Sequence, residues 1–242
     1  MHFQSDITLP VLYQDQHLVA INKPHGLLVH RSPIAADTNE FAVQILRDQL
    51  NQRVYPAHRL DRKTGGALLF ALDENTNSLT QQQFQNNAVE KVYHAVVRGY
   101  TEDAGEIDYA LKRDDGVVQE AFTVYKTLRR TEVPFQIGKH ETSRYSLVEL
   151  RPQTGRMHQL RKHMAHVMHP IIGDRPYGCN KQNRYFKEEF SMMTMLLHAK
   201  SLSFTHPVTG IQMLIEADYQ PPFSQALATL QFEIPALTSD QT

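Results

Sequence analysis

The feature that most constrains the fold is a short apolar run, residues 67–72, which directly follows two adjacent glycines. A run of this length bounded by glycine is typical of a buried β-strand, since amphipathic helices need longer stretches. The segments EKVYHAVVRGY (residues 90–100) and RYSLVELRP (residues 144–152) also predict strands, and residues 198–218 predict a hairpin that turns at residues 207–210. The sequence therefore predicts a sheet that contains a buried strand.

Helices are predicted between these strands. A polar helix over about residues 75–87 follows the apolar run, and a final helix ends at about residue 232. A further helix is expected where Asp37 and Glu40 resemble a capping box. In GRMHQLRKHMAHVM, helical spacing places five apolar residues on one side: Met157, Leu160, Met164, Val167 and Met168. This mixture predicts an α+β domain with a mainly antiparallel sheet, flanked by helices and loops.

The composition is that of a globular protein. We expect one domain over residues 1–242, with its core from about residue 10 to residue 220, because the chain has no internal repeat, low-complexity tract or long linker. No apolar run approaches the roughly 18 residues of a membrane helix, and MHFQSDITLP lacks the layout of a signal peptide, so we expect a cytoplasmic protein without membrane contact. Cys179 is the only cysteine, which excludes an intrachain disulfide.

Charge is unevenly distributed along the chain, although the net charge at pH 7 is only −1. Residues 101–120 contain seven acids against Lys112 and Arg113. Residues 151–187 contain one acid, Asp174, and eight cations: Arg151, Arg156, Arg161, Lys162, Arg175, Lys181, Arg184 and Lys187. A basic face opposite an acidic one suits a polyanion such as RNA, whereas the alternative is a solvated surface with scattered charge.

Common motifs of other enzyme classes are absent from the sequence. There is no GxxxxGK[ST] phosphate loop, no GxGxxG after a strand and no GxSxG nucleophile elbow. Four of the 13 histidines, His158, His163, His166 and His169, crowd one segment, and His58 with Asp61 would complete a metal site. The HExxH motif is missing, and the many nearby cations would repel a divalent metal, so we expect no metal.

Five segments in chain order resemble the motifs of one enzyme family. HRLDRKTGG (residues 58–66) is similar to the HRLDxxTSG signature of the RluA-type pseudouridine synthases, which isomerise uridine in RNA. The other four are INKPHGLLVH (21–30), KVYHAVVRG (91–99), TGRMHQLRKHM (154–164), and HPIIGD (169–174) with LLHA (196–199). One departure is visible, because Gly65 stands where the family usually has Ser. The resemblance implies the pseudouridine synthase fold, an RNA partner and no cofactor.

The resemblance also implies roles for individual side chains. Asp61 corresponds to the nucleophilic carboxylate and Arg161 to the cation that keeps it ionised, while Tyr93 stacks on the uracil and removes the C5 proton. A uridine inside a stem must be extruded before it reacts, and Arg59 would fill the vacated space. The other residues implied at the bound RNA are Arg62 and Lys63 at phosphates, Arg156, His158, and Leu197 or its neighbour Leu196 beside the uracil.

Several alternatives remain open at the level of the sequence. Asp61 could form a surface ion pair with Arg59 or Arg62, and the chain could be a non-catalytic RNA-binding protein or a metal-dependent hydrolase. Attack on the ribose C1′ and elimination to a glycal are not separated by sequence. The segment TSRYSLVEL and the expected lack of an S4-type domain resemble the branch that modifies uridine 65 in the T-stem of tRNA, which implies a monomer acting on tRNA; ribosomal RNA is the alternative substrate.

Overall fold

The computed structural model describes residues 7–30 and 40–232 of the chain. Five helices lie in these ranges: α1 (Ala42–Leu50), α2 (Glu74–Gln85), α3 (Gln159–His166), α4 (Asn180–Phe190) and α5 (Pro221–Thr229). The strands in the same ranges are β1 (Val11–Gln14), β2 (Leu18–Lys23), β3 (Tyr55–Pro56), β4 (Gly65–Ala71), β5 (Glu90–Arg98), β6 (Ala104–Asp108), β7 (Leu111–Lys112), β8 (Val118–Gln119), β9 (Phe122–Val133), β10 (Ser143–Pro152), β11 (Leu197–Thr205) and β12 (Gln212–Glu216).

Ten of these strands form one sheet. Its main path runs β1-β2-β4-β11-β5-β10-β9-β6, with β3 added to β4 and β12 added to β11. The described neighbours pair antiparallel except β4 and β11, which run parallel. The strands β7 and β8 form a separate hairpin. The predicted α+β fold with a mainly antiparallel, mixed sheet is confirmed.

Strand β4 is buried along its whole length, as the apolar run predicted. Leu68 and Phe70 pack with α1 on one face of the sheet, whereas Leu69 and Ala71 pack on the other face with Leu202 of β11. Successive side chains of a strand point to opposite faces, so an entirely apolar strand needs cover on both sides. The loop that enters β4 is therefore held at the centre of the fold.

Helix α3 packs against the second half of the sheet. Leu160 and Met164 share a buried cluster with Val97 of β5, which brings the start of this helix close to the loop before β4. Met157 and Met168 are instead 48% and 76% exposed, so two of the five apolar residues at helical spacing do not join this cluster. The reason is length, because both methionines lie outside the two helical turns of α3.

Helix α1 begins later than the capping-box prediction placed it. Phe41 is the N-cap residue without a side-chain cap hydrogen bond, and Glu40 precedes the helix. Asp37 lies outside the described residues. Because Phe41 is buried, packing rather than capping defines this helix start. No helix in the described ranges is long and apolar enough to cross a bilayer.

Candidate active site

The Asp61 loop, which we define as residues 57–64, connects β3 to β4 and is supported by the segment that follows β2. The buried ammonium of Lys23 donates a hydrogen bond to the carbonyl oxygen of Arg62 at 3.2 Å, and the amide of Gly26 donates to the same oxygen at 2.8 Å. The Nδ1 atom of His25 lies 2.8 Å from the carbonyl oxygen of Lys63. The main chain directly after Asp61 is therefore held at two successive carbonyl groups.

Asp61 shares one arginine with a second carboxylate. Arg161 Nη1 donates to Asp61 Oδ2 at 2.8 Å, while its Nε and Nη2 each donate to an oxygen of Asp174 at 2.9 Å. The side chain of Asp174 is fully buried, whereas that of Asp61 is 30% exposed. Burial opposes the charge on Arg161, but the hydrogen bonds to Asp174 and then Asp61 outweigh it and raise its pKa above the ordinary value. Arg161 is a fixed cation, and Asp61 is the partner that a ligand can reach.

A cavity of about 130 Å³ opens beside Asp61, and Tyr93 and Leu197 lie in its wall. Tyr93 is paired across the sheet with Ala199 of β11, so register places it close to the start of that strand, where Leu197 lies. Leu196 packs in another cluster and does not line this cavity. Burial, and then the negative charge of Asp61, raise the pKa of Tyr93 well above its ordinary value. The phenol is therefore protonated at neutral pH.

His158 contacts the same carboxylate from the start of α3. Its Nε2 lies 3.8 Å from Asp61 Oδ2, and its Nδ1 lies 3.0 Å from the hydroxyl of Tyr177. Burial lowers the pKa of His158; the Asp61 charge raises it, and the Arg161 charge lowers it. The imidazole is mainly neutral at pH 7, which makes it a hydrogen-bonding group rather than a second fixed cation.

The other cations of the predicted site lie around its rim. Arg59 is exposed and lines cavities on both sides of Asp61. Arg62 is exposed, and its Nε donates to the carbonyl oxygen of Gly26 at 3.0 Å. Arg156 lines the small cavity while its Nε donates to the carbonyl oxygen of Glu120 at 3.0 Å. Since Asp61 pairs with the buried Arg161, a purely superficial ion pair does not describe its environment.

A carboxylate, an arginine and a tyrosine at one cavity are the groups that the family resemblance implied. The family model described as RNA pseudouridylate synthase matches residues 17–166. The chain belongs to this family.

Two relatives of this synthase are both named tRNA pseudouridine synthase C. The protein of Vibrio vulnificus (strain CMCP6) is 44% identical, with 96% of this chain and 99% of the relative covered. The protein of Pasteurella multocida (strain Pm70) is 49% identical, with 86% and 90% covered. The solved structure of human RNA Pseudouridylate Synthase Domain Containing 4 has a TM-score of 0.74 at 25% identity, covering 93% of this chain and 94% of that one. These matches confirm the predicted RluA-type isomerase and its fold.

The histidines that raised the metal alternative have protein partners in this synthase. His58 accepts a hydrogen bond from the amide of Leu69 at 3.1 Å and stacks on Phe84, and burial lowers its pKa to about 3. The remaining contacts are those of His163 with Thr123 and Tyr109, His166 with Tyr109, and His169 with Arg98. Across residues 7–30 and 40–232, no three metal-ligating side chains are grouped to hold an ion.

Two buried charges of the site were not assigned from the sequence. Asp174 binds Arg161. The sequence feature that could have identified it is its position as the lone acid of the basic segment, residues 151–187. Lys23 also donates to two carbonyl oxygens of its own turn, those of Pro24 at 2.9 Å and Leu27 at 2.8 Å. Burial lowers the pKa of Lys23 to about 7, against the opposing effect of the Asp61 charge. The sequence feature that could have identified Lys23 is its position at the end of the apolar strand LVAINK.

Proposed function

We propose that this synthase isomerises a uridine of tRNA to pseudouridine, at uridine 65 of the T-stem, with Asp61 as the nucleophile. The observation that carries the proposal is the 2.8 Å ion pair between Asp61 and Arg161 at the wall of a cavity that also contains Tyr93. The choice of tRNA is supported by the relatives named tRNA pseudouridine synthase C. The choice of uridine 65 is supported by the segment TSRYSLVEL.

The reaction requires a carboxylate but no redox chemistry. The bond between uracil N1 and ribose C1′ breaks, the uracil turns, and a bond forms between its C5 and C1′. C5 loses a proton and N1 gains one, so the composition of the nucleotide is unchanged. The Asp61 carboxylate either attacks C1′ or induces elimination to a glycal that later rejoins the uracil. Arg161 donates a hydrogen bond to the Asp61 carboxylate at 2.8 Å, which orients its oxygens and places a positive charge beside them. No cofactor enters this balance, so EDTA should leave the rate unchanged.

The remaining side chains hold the uridine and its strand. Tyr93 and Leu197 lie in the wall of the cavity, where they would contact the uracil ring, and the Tyr93 hydroxyl is the proposed route by which the C5 proton leaves. Arg59 occupies the gap in the stem, which offsets part of the few kcal/mol that base extrusion costs. Arg62, Arg156 and His158 bind the flanking phosphates and sugars.

The test is a map of pseudouridine in RNA treated with the purified protein and in RNA from a strain that lacks the gene. We expect a new pseudouridine at uridine 65 of unmodified tRNA transcripts, and its loss from the tRNA of the strain. If a ribosomal RNA site is lost while the tRNA keeps every pseudouridine, the tRNA assignment is wrong and the enzyme class stands. If the protein binds both RNAs and modifies neither, the non-catalytic alternative is correct.

A further inference from the structure

A second group of cations lies outside the small cavity, on the far side of the Asp61 loop. A depression of about 410 Å³ is lined by Lys63 of this loop, by Arg175, and by Arg184 and Lys187 of α4. Glu188 is the only acid among its lining residues. Four cations face one carboxylate, so this part of the described surface attracts anions.

Three of these cations have no acidic partner among the described residues. In the part of the chain that the structure describes, no ion pair involves Arg175, Arg184 or Lys187. Burial lowers the pKa of Lys63, and the nearby charge of Arg175 acts in the same direction. Unpaired like charges held together repel one another, and a bound anion relieves that repulsion.

Other cations of the same basic segment behave differently. Arg151 forms ion pairs with Glu90 and with Glu149, the latter at 2.7 Å. Arg161 is enclosed between Asp61 and Asp174. The expectation that the whole segment of residues 151–187 binds RNA backbone is therefore too broad. Within this segment, Arg175 and the α4 cations form one group available to a polyanion, separate from Arg156 at the small cavity.

Helix α4 is fixed to the active site rather than loosely attached. Phe186 of α4 is buried in a hydrophobic cluster, and the side chain of Gln182 accepts a hydrogen bond from Tyr145 at 2.6 Å. Asn183 accepts from the amide of Gly173 at 2.8 Å and donates to the carbonyl oxygen of Asp174 at 2.6 Å. Because Asp174 binds Arg161, the depression keeps a fixed distance from Asp61.

The depression is also continuous with the surface around Asp61. A cavity of about 530 Å³ has Asp61 in its wall and shares Lys63, Gly173 and Arg175 with the depression. An RNA strand with one nucleotide beside Asp61 can thus extend across this cavity to α4.

We propose that this depression binds backbone phosphates of the RNA outside the nucleotide that is isomerised, and so sets the position of the RNA on the enzyme. The proposal rests on the proposed function for the identity of that RNA. Arginine and lysine donate charge-assisted hydrogen bonds to phosphate oxygens, and such contacts fix register without reading bases. The depression should therefore govern RNA affinity and leave the chemical step unchanged.

The experiment compares Arg184→Glu/Lys187→Glu with Lys181→Glu. Lys181 is exposed on the same helix and does not line the depression, so it controls for charge reversal on α4. For a tRNA transcript, we expect the double variant to raise KM at least about tenfold, and to lower the slope of log Kd against log salt by about two. The single-turnover rate at saturating RNA should stay within about twofold, because no reacting group is touched. Screening at physiological salt should keep Lys181→Glu within about threefold of wild type.

Equal effects of the two charge reversals would overturn the proposal, and so would a fall in the saturating rate with unchanged affinity. Binding is also measured with a transcript that carries cytidine in place of the target uridine. If the wild-type protein binds this RNA but isomerises no tRNA, the proposed function fails. The comparison of RNA affinity between the variants then still tests whether the depression binds RNA.

Discussion

The two sides of the Asp61 loop are built from different interactions. At the front, Arg161 and Tyr93 present a charge and a ring to the cavity, and the buried Asp174 holds Arg161 from behind. The back, formed by Lys23, His25 and Gln220, holds main-chain groups: Lys23 and His25 contact carbonyl oxygens of the loop, and Gln220 accepts from the amide of His25 at 3.0 Å. The front thus acts through the chemical groups of its side chains, whereas the back acts by holding the main chain of the loop in position.

This difference separates two kinds of failure. A substitution on the front removes a charge or a proton carrier that no neighbour replaces, so it should act on the rate constant. A substitution on the back displaces the loop, so it should act on stability and on the position of Asp61 together. A change on the back can also be compensated by a second change that restores the space.

The largest expected effect is that of Asp61→Asn. The amide has the same shape but is not a nucleophile, so the single-turnover rate should fall by about 10,000-fold or more, while RNA affinity changes little. Arg161 keeps its two bonds to Asp174, so the fold should survive, as circular dichroism can verify. A fall of less than about 100-fold in pure Asp61→Asn protein would remove Asp61 from the proposed role.

The second-largest fall in rate is expected for Arg161→Met. Loss of the cation removes the hydrogen bond and the charge that hold the Asp61 carboxylate in position, which should slow the reaction about 100- to 1,000-fold. It also leaves Asp174 as an uncompensated buried carboxylate, which should destabilise the protein by about 3–5 kcal/mol in urea denaturation. Arg161→Lys is the matched control, because it keeps the charge and should recover part of the rate. A wild-type rate for folded Arg161→Met at pH 7 would transfer the role to another cation, such as Arg59.

Tyr93→Phe, at the front of the Asp61 loop, should lower the rate less than the two preceding substitutions. The ring that stacks on uracil remains, so RNA affinity should persist, but the route for the C5 proton is lost and the rate should fall about 100-fold. Rapid-quench measurement with a 5-deuterated uridine substrate should show an isotope effect in the variant that exceeds the wild-type value. An unchanged rate would assign the proton transfer to another group or to water.

Much of the fold could be predicted because the relevant signals are local. The run that became β4 is apolar along its length, and Tyr93, Ala95 and Val97 share one face of β5, so both patterns identify their elements directly. Helix α4 was not predicted, since only Gln182 and Phe186 of its eleven residues are buried and the pattern is weak. The parallel pairing of β4 with β11 joins strands far apart in the chain, which no local pattern encodes.

The front of the site was better predicted than the back. Asp61, Tyr93 and Arg161 carry motifs, and the structure brings Asp61 and Arg161 together across 100 residues of chain. Arg161 is not among the apolar residues at helical spacing in this segment, yet it is buried, because two carboxylates compensate its charge. Lys23 was missed for a related reason. Residue type does not reveal that a lysine is buried beneath main-chain carbonyls.

The smallest effect on the reaction rate is expected for substitution of Gly65, at the back of the Asp61 loop. This substitution also gives the sharpest comparison of the two sides. A Cβ at this position would lie 2.7 Å from two ring atoms of His25, closer than real contacts allow. The ring is held by the carbonyl oxygen of Lys63, so moving it releases the loop beside Asp61. His25 therefore fills the space in which most of the family carries a serine side chain, and these two residues should behave as a coupled pair.

Gly65→Ser alone should destabilise the protein by about 1–3 kcal/mol and slow the reaction severalfold, and His25→Ala alone should also destabilise it by removing the contact with Lys63. In His25→Ala/Gly65→Ser the clash is absent, so the loss of stability should be smaller than the sum of the two single losses. Gly155→Ser serves as the stability control, because a Cβ there meets no atom within 4 Å. Urea denaturation of the single and double variants gives the coupling energy, which should be at least about 1 kcal/mol in favour of the double variant. If the two losses of stability simply add, the ring of His25 does not occupy the place of the missing side chain. The glycine at position 65 then needs a different explanation.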